Sequence, residues 1–367
     1  MRPRKQQIPL YSSRTTKLYE AYLRKRIVFM SSLALGLTVL TAISLSLGSA
    51  SLSIGNVIHT LLSRFLPGIY DVDTTSYTII WGIRLPRVMM AVVVGVALAV
   101  SGAVLQTILR NPLASPYTLG VSSSAAFGAA LSIILGAGIT GYRQLVFINL
   151  PAIVVNAFCF SMLSTFVIFW LSKFKRATAS TMVLAGIAMM YLFSAATSLL
   201  QYFGTTEQVT AVVFWMFGDL GKADWTNLAI VAAVTVSVIP FLFSLCWDYN
   251  ALMLGDEVAK SLGVSVERLR LISMVLAALL TAVAVSFLGT IGFIGLLAPH
   301  IARMVVGGDH RFLLPSSCLV GAVLLLAADT ASRTILSPCT LPVGILTSFL
   351  GVPLFIYLLL KGRKEYW

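Results

Sequence analysis

Charge is scarce in this sequence. Of its 367 residues only 11 % are charged, and just 13 are acidic. A water-soluble domain carries about 25 % charged residues, so a large soluble core is excluded. There are four cysteines, Cys159, Cys246, Cys318 and Cys339, and no two are close enough to form a CxxC metal or redox motif. They read as buried, inert thiols. The three histidines, His59, His300 and His310, are far apart, and no metal site is expected from them. Neither HExxH nor GxSxG occurs. The nearest approach to a phosphate-cradling loop is Gly221-Lys222, but Ala223 follows, and no glycine stands five residues before Gly221. No catalytic residue is therefore assigned, and the chain is not expected to hold ATP by itself.

What is abundant is apolar. Hydrophobic residues make up 58 % of the chain, and the mean hydropathy is +0.93. That is the composition of a chain whose surface mostly faces lipid. Runs long enough to cross a bilayer, about 20 residues each, predict an all-α membrane protein with ten spans. They lie at 27–47, 83–107, 119–136, 147–172, 179–203, 226–246, 270–288, 293–306, 312–332 and 341–361. The eighth is short and requires protein or a cavity around it. The predicted organisation is a basic arm (1–26), one permease domain (27–363) and a tail (364–367). The start is polar and basic, and no cleavable signal peptide is evident in it.

The formal net charge is +13. The cations lie between apolar runs and form no patch on a soluble fold, which argues against a nucleic-acid partner. They serve instead as topology signals. With the N-terminus inside, 20 Lys and Arg fall on the inner side. Six fall outside: Arg64, Arg84, Arg87, Arg143, Lys222 and Arg333. This asymmetry predicts ten spans with both ends in the cytoplasm. Gly95, Ala99 and Gly102-Ala103 recur about one helical turn apart and predict close helix packing.

Arg84 and Arg87 flank Pro86 at the outer mouth of the second span. They could be interfacial anchors or docking points for the carboxylates of an external partner, which a guanidinium fork binds bidentately. Arg333 could pair with Asp329 four residues earlier on a helix. The inner loop 248–270 reads as a short amphipathic helix. Its apolar face is Leu252, Val258, Ala259 and Leu262, and Gly263 closes it as a C-cap. Such a face on a cytoplasmic loop calls for a partner. The outer stretch 204–225 is long enough for another short helix. Pro299-His300 interrupts the eighth span, where the histidine reads as a packing residue.

These stretches together resemble the FecCD-type permeases, which import ferric siderophores, haem and cobalamin. The resemblance rests on Arg84–Leu131, on LGTIGFIGLLAPHIARMVVGGDHRFLLP (288–315) and on LLLAADTASRTILSPCTLPVGILTSFLGVPLFIYLLLKGR (324–363). LGDEVAKSLGV (254–264) and WMFGDLGKADW (215–225) agree with it. It covers about 80–363 and implies a ten-span subunit of the inner or plasma membrane, working as a homodimer or beside a sister permease. Two ATP-binding-cassette ATPase subunits would sit inside, binding the ATP and Mg, and no cofactor is expected in this chain. An external substrate-binding protein would dock on Arg84, Arg87 and Arg333. The coupling helix to the ATPase would include Leu254, Gly255, Asp256, Glu257, Ala259, Leu262 and Gly263. Ser180 and Thr181 match the family's gate at the inner end of the fifth span, although Ala179 stands where some relatives carry a hydroxyl. Relatives of this architecture carry ferric siderophores, haem, cobalamin or oxyanions such as molybdate, and an iron chelate is the favoured cargo. A proton- or sodium-coupled transporter would need titratable groups at mid-membrane. Here the spans are nearly free of Asp and Glu, with Asp329 the main exception. A membrane enzyme would need a cluster of His or acidic residues, and none is visible.

Overall fold

The structure, a computed structural model, describes residues 13–48, 50, 52–66, 69–70, 72–136, 151–174 and 178–361. The first 12 residues of the basic arm, 147–150 of the fourth predicted span, Arg143, Lys175, Arg176 and the tail 364–367 lie outside them.

The described residues fold into helices joined by short turns. In chain order they are α1 (Ser13–Ser46), α2 (Ile54–Ser63), α3 (Thr74–Tyr77), α4 (Leu85–Ile108), α5 (Val121–Leu135), α6 (Ala152–Phe174), α7 (Ala179–Phe203) and α8 (Thr206–Met216). There follow α9 (Trp225–Ser244), α10 (Cys246–Met253), α11 (Asp256–Ser261), α12 (Val266–Leu288), α13 (Ile294–Val306), α14 (His310–Thr334) and α15 (Val343–Lys361). A π-helical turn, Thr78–Arg84, joins α3 to α4. Among the described residues, seven helical segments are long and apolar enough to cross a membrane: Glu20–Ser46, Thr74–Ile108, Ala152–Phe174, Ala179–Phe203, Trp225–Ser244, Val266–Leu288 and His310–Thr334. The other three predicted spans correspond to the shorter apolar helices α5, α13 and α15.

Three boundaries differ from expectation. Helix α1 begins at Ser13, so the second half of the basic arm is helical and continuous with the first span. The second span starts about nine residues earlier than its apolar run, because Asp73 caps α3 through the Ser76 N–H and the π turn carries the helix into α4. The outer segment between the first two spans contains the helix α2, capped by Ser53; its ten residues are too few for a span signal.

Helix α4 is the centre of the molecule. It is enclosed by α9, α12, α13 and α14, whereas α1 lies at the edge, packing Phe29, Leu33, Leu37 and Leu40 inward and leaving its other face exposed. Lipid supplies no hydrophobic drive between helices, so close approach depends on small residues and interhelical hydrogen bonds. Both are present. A Cβ on Gly102 would overlap the Gly295 carbonyl of α13, and one on Gly95 would overlap the Gly321 carbonyl of α14. Ser101 Oγ donates to the Ala277 carbonyl at 2.7 Å and lies 2.9 Å from Thr281 Oγ, binding α4 to α12. The 13-residue α13 is short for a bilayer, but Leu297, Ala298, Pro299 and Ala302 are buried in protein, as its length requires. His300 on this helix meets the Phe355 ring edge-on, a packing contact.

Gly102→Ala is expected to lower the thermal midpoint of the detergent-purified chain, with an overpacking cost of about 1–3 kcal/mol. The same change at Gly36, where nothing lies within 4 Å of an added Cβ, is the matched control. Equal midpoints for the two variants would refute the packing argument.

Candidate functional site

The basic groups separate to the two ends of α4. At its start, the three arginines expected at the outer mouth converge from distant parts of the sequence. Arg84, Arg87 and Arg333 line a cavity of about 220 Å³ together with Gly48, Ala50, Ile79, Ile83, Pro338 and Thr340. All three side chains are buried.

Each arginine is already engaged within the chain. Arg84 Nη1 donates to the carbonyls of Leu45 (2.6 Å) and Ser46 (2.9 Å), and Nη2 to that of Ala50. Arg333 Nη2 donates to Ser44 Oγ (2.6 Å) and the Ser44 carbonyl (3.2 Å), and Nη1 to the Leu47 carbonyl (3.2 Å). Two cations thus cap the carbonyls that end α1, where the helix dipole favours positive charge. Arg87 Nε donates to Asp329 Oδ1 at 2.8 Å, and its Nη2 lies 2.8 Å from the same oxygen. Arg333 Nε takes Oδ2 of Asp329 at 3.1 Å. The pairing of Arg333 with Asp329, one of the two sequence readings, is therefore present, and Asp329 is fully buried between two arginines. Asp219, half-exposed, stands 3.8 Å from Arg87. With one buried carboxylate and one more distant one facing three guanidinium groups, the cavity keeps a net positive charge.

At the other end of α4 lies the cytoplasmic loop. The expected single helix is two, α10 and α11, broken at Leu254-Gly255. Gly255 has φ 114°, which favours glycine and ends the helical path there. The expected apolar face is also divided: Leu252 and Ala259 point into the core, whereas Leu254, Val258 and Leu262 are exposed. Gly263 is the C-cap that its position predicts. At φ 87° it donates to the Lys260 carbonyl, while Val264 donates to that of Ala259, the Schellman pattern. Glu257 faces solvent, paired with Lys260 at 3.1 Å. Asp256 is held bidentately by Arg270, Nη1 to Oδ2 and Nη2 to Oδ1, both 2.8 Å. Asp309, at the start of α14, is a second inner hub. It accepts from Arg311 and Asn250 and lies 3.8 Å from Arg26. Burial pushes its carboxyl up, but the hydrogen bonds from Arg311 and Asn250 outweigh this and hold it down at about 2. It therefore stays charged at neutral pH.

Ser180 and Thr181 lie in the first turn of α7. Ser180 is exposed. Thr181 donates its N–H to the Thr178 hydroxyl, and the two side chains are 2.8 Å apart, so this polar turn also caps the helix. Two cavities meet at Tyr117. The larger, about 680 Å³, lies among Phe217, Thr290, Gly344, Ser348 and Phe349; the smaller, about 300 Å³, among Leu113, Ser115, Phe293 and Leu296. Neither was legible in the sequence, because their walls come from four separate segments. No group of three or more His, Cys, Asp or Glu that could hold a metal occurs among the described residues, and the four cysteines are unpaired thiols. Cys159 and Cys339 are exposed, against the expectation of burial.

Known proteins are similar to this chain in sequence and fold. The chain is 49 % identical over 352 residues to the inferred ABC transporter permease MJ0087 of Methanocaldococcus jannaschii, covering 95 % of this chain and 98 % of that one. It is 39 % identical over 335 residues to the hemin transport system permease HmuU of Yersinia pestis, covering 91 % and 97 %. A solved inward-facing ABC transporter, provisionally described as metal-chelate type, superposes with a TM-score of 0.78. It is 34 % identical, with 90 % of this chain and 98 % of that one covered. The family model of the FecCD transport family matches residues 36–361, and the chain belongs to that family, as the membrane-spanning permease subunit of an ABC importer.

Proposed function

We propose that this permease imports an iron chelate, a ferric siderophore or haem, delivered by an external substrate-binding protein and driven by two ATP-binding-cassette subunits on the cytoplasmic side. The observation that carries this reading is polarity. A positive, arginine-lined cavity lies at one end of α4, and a loop with exposed Leu254, Val258 and Leu262 lies at the other. Each end thus offers a surface to a partner of different chemistry: carboxylates outside, an apolar groove inside. The hemin-transporting relative and the metal-chelate solved structure support the cargo class.

In this reading the permease does no bond chemistry. ATP and Mg are held by the partner ATPases, and this chain holds no cofactor. The loaded binding protein docks over Arg84, Arg87 and Arg333. ATP binding moves the loop built on Asp256, Glu257 and Ala259, and a pathway in a homodimer opens alternately to either side, with Ser180 and Thr181 at its inner gate. Such a machine needs only that its partners bind two conformations with different affinity. The Tyr117 cavity, about 680 Å³, falls within the roughly 300–1,000 Å³ usual for small-molecule sites. The membrane is the cell's inner or plasma membrane.

Uptake of labelled ferric chelates and labelled cobalamin in cells lacking the gene tests the cargo. Iron-chelate uptake is expected to fall to background and to return with the wild-type gene, but not with Arg84→Glu/Arg87→Glu. A fall in cobalamin uptake alone would reassign the cargo and leave the importer standing.

A further inference from the structure

The outer mouth and the cytoplasmic loop are joined by one continuous set of contacts along α4 and α14. These two helices are cross-tied at both ends. At the outer end the tie is Arg87 of α4 to Asp329 of α14. At the inner end it is Thr107 of α4 to His310 of α14, Oγ to Nε2 at 2.7 Å. Between them Gly95 and Gly321 bring the two backbones so close that a Cβ on either would overlap the other's carbonyl.

The cytoplasmic loop grips the inner end of this pair at two points. The first is Asn250 of α10. Asp309 can only accept, so the Asn250 amide nitrogen faces it at 3.0 Å, and the amide oxygen faces His310. That oxygen accepts from the His310 backbone N–H at 2.9 Å and lies 2.8 Å from Nδ1. Nδ1 thus carries a hydrogen toward Asn250, while Nε2 faces the Thr107 hydroxyl, which also lies 2.8 Å from the Ala103 carbonyl of its own helix. The second grip is Arg270 of α12. Its two Nη atoms hold Asp256 of α11, and its Nε donates to the Ile108 carbonyl at the last residue of α4, 2.9 Å away. Arg270, His310 and Thr107 are buried, and none of them reaches either partner surface.

We infer that Arg270 and the Asn250–His310 pair are positioning residues that lock the cytoplasmic loop to the inner end of α4, so that the ATPase inside and the arginine cavity outside act on one cross-tied helix pair. The inference rests on the reading above, that the loop seats on an ATPase. The geometry supplies a bonded route with discrete partners that can be broken one at a time. A buried arginine with three bonds, two to the loop and one to α4, transmits a displacement of Asp256 directly to Ile108. Lysine keeps the charge but cannot make that planar fork.

The chain carries its own outer reporter. Cys339 is exposed in the segment whose neighbours Pro338 and Thr340 line the arginine cavity. The experiment uses the complete complex of permease and its ATPase in proteoliposomes, in a Cys159→Ser background. It compares the rate of Cys339 labelling by a membrane-impermeant maleimide without nucleotide and after trapping with Mg-ATP and orthovanadate. In the parent protein the rate should change by about fivefold or more, the low end of ordinary site-to-site coupling. In Arg270→Lys and in Asn250→Ala the ratio should fall towards one while the ATPase still co-purifies. A ratio unchanged in both variants, or no response in the parent, overturns the inference. If the ATPase does not co-purify even with the parent, it is the reading of the loop that fails. Hydrogen exchange on the parent complex needs no variant and covers the case in which neither folds. On trapping, amides of 105–110, 249–256 and 84–88 should change together, and a change at 84–88 without one at 105–110 is incompatible with the route.

Discussion

Asp329→Asn should destabilise the folded permease by about 3–5 kcal/mol, the cost of removing one partner from a buried ion pair. The carboxylate is fully buried and compensates two guanidinium groups at once, Arg87 at 2.8 Å on one oxygen and Arg333 at 3.1 Å on the other. The amide is nearly isosteric, so no cavity is created, and the loss is electrostatic. Two cations then face each other, with Asp219 standing 3.8 Å from Arg87. Arg333 also anchors the end of α1 through Ser44 and Leu47, so the outer end of α1 should loosen with it. Denaturant or thermal unfolding in detergent, read by tryptophan fluorescence, measures the change. Asp329→Asn/Arg87→Met/Arg333→Met should recover much of the stability, because buried ion pairs are commonly replaceable by apolar groups of similar volume. It should not restore uptake if the arginines dock the binding protein. A single variant within about 0.5 kcal/mol of wild type, the range of inert surface changes, would show that the triad does not hold the outer mouth together.

Leu254→Glu/Leu262→Glu should abolish co-purification of the ATPase and reduce transport at least about tenfold, while the chain remains folded. Both side chains are more than half exposed, so neither change touches the core. An exposed apolar side chain of this size that becomes the centre of an interface contributes about 2 kcal/mol or more, and each 1.4 kcal/mol is tenfold in affinity. Ala259→Glu is the instructive contrast. It lies on α11, between them in the same loop, but is fully buried, so it should damage folding rather than assembly. Pull-down of the ATPase, together with the thermal midpoint of each variant, separates the two effects. Retained assembly with Leu254→Glu/Leu262→Glu would remove the loop from the interface.

Much of the fold is legible along the chain. Each of the ten spans is a local property, a run of apolar side chains bounded by charge, and all ten correspond to helices. The segments that do not show in this way are those shaped by single residues. Asp73 extends the second span through its cap, and Gly255 breaks the cytoplasmic helix into two. The inner loop also shows the limit of periodicity. Leu252 and Ala259 belong to the core, and Leu254, Val258 and Leu262 are exposed, because Gly255 interrupts the helix and no single period runs across the break. Asp329 could have been singled out more strongly, since an acid inside an apolar span is costly enough to demand a partner.

Composition and local pattern by themselves determined that this chain is a multi-pass helical membrane protein, which way its charge runs, and which family its motifs resemble. Lipid solvation and backbone hydrogen bonding act residue by residue, so their demands are written in sequence order. Only the tertiary structure decided that the outer arginines lie beneath the surface around Asp329, that Arg270 joins Asp256 to the end of α4, and that His310 sits between Thr107 and Asn250. Those partners are separated by up to 242 residues. What pairs them is the close approach of helices at small residues, a property of the packed bundle that no single segment carries.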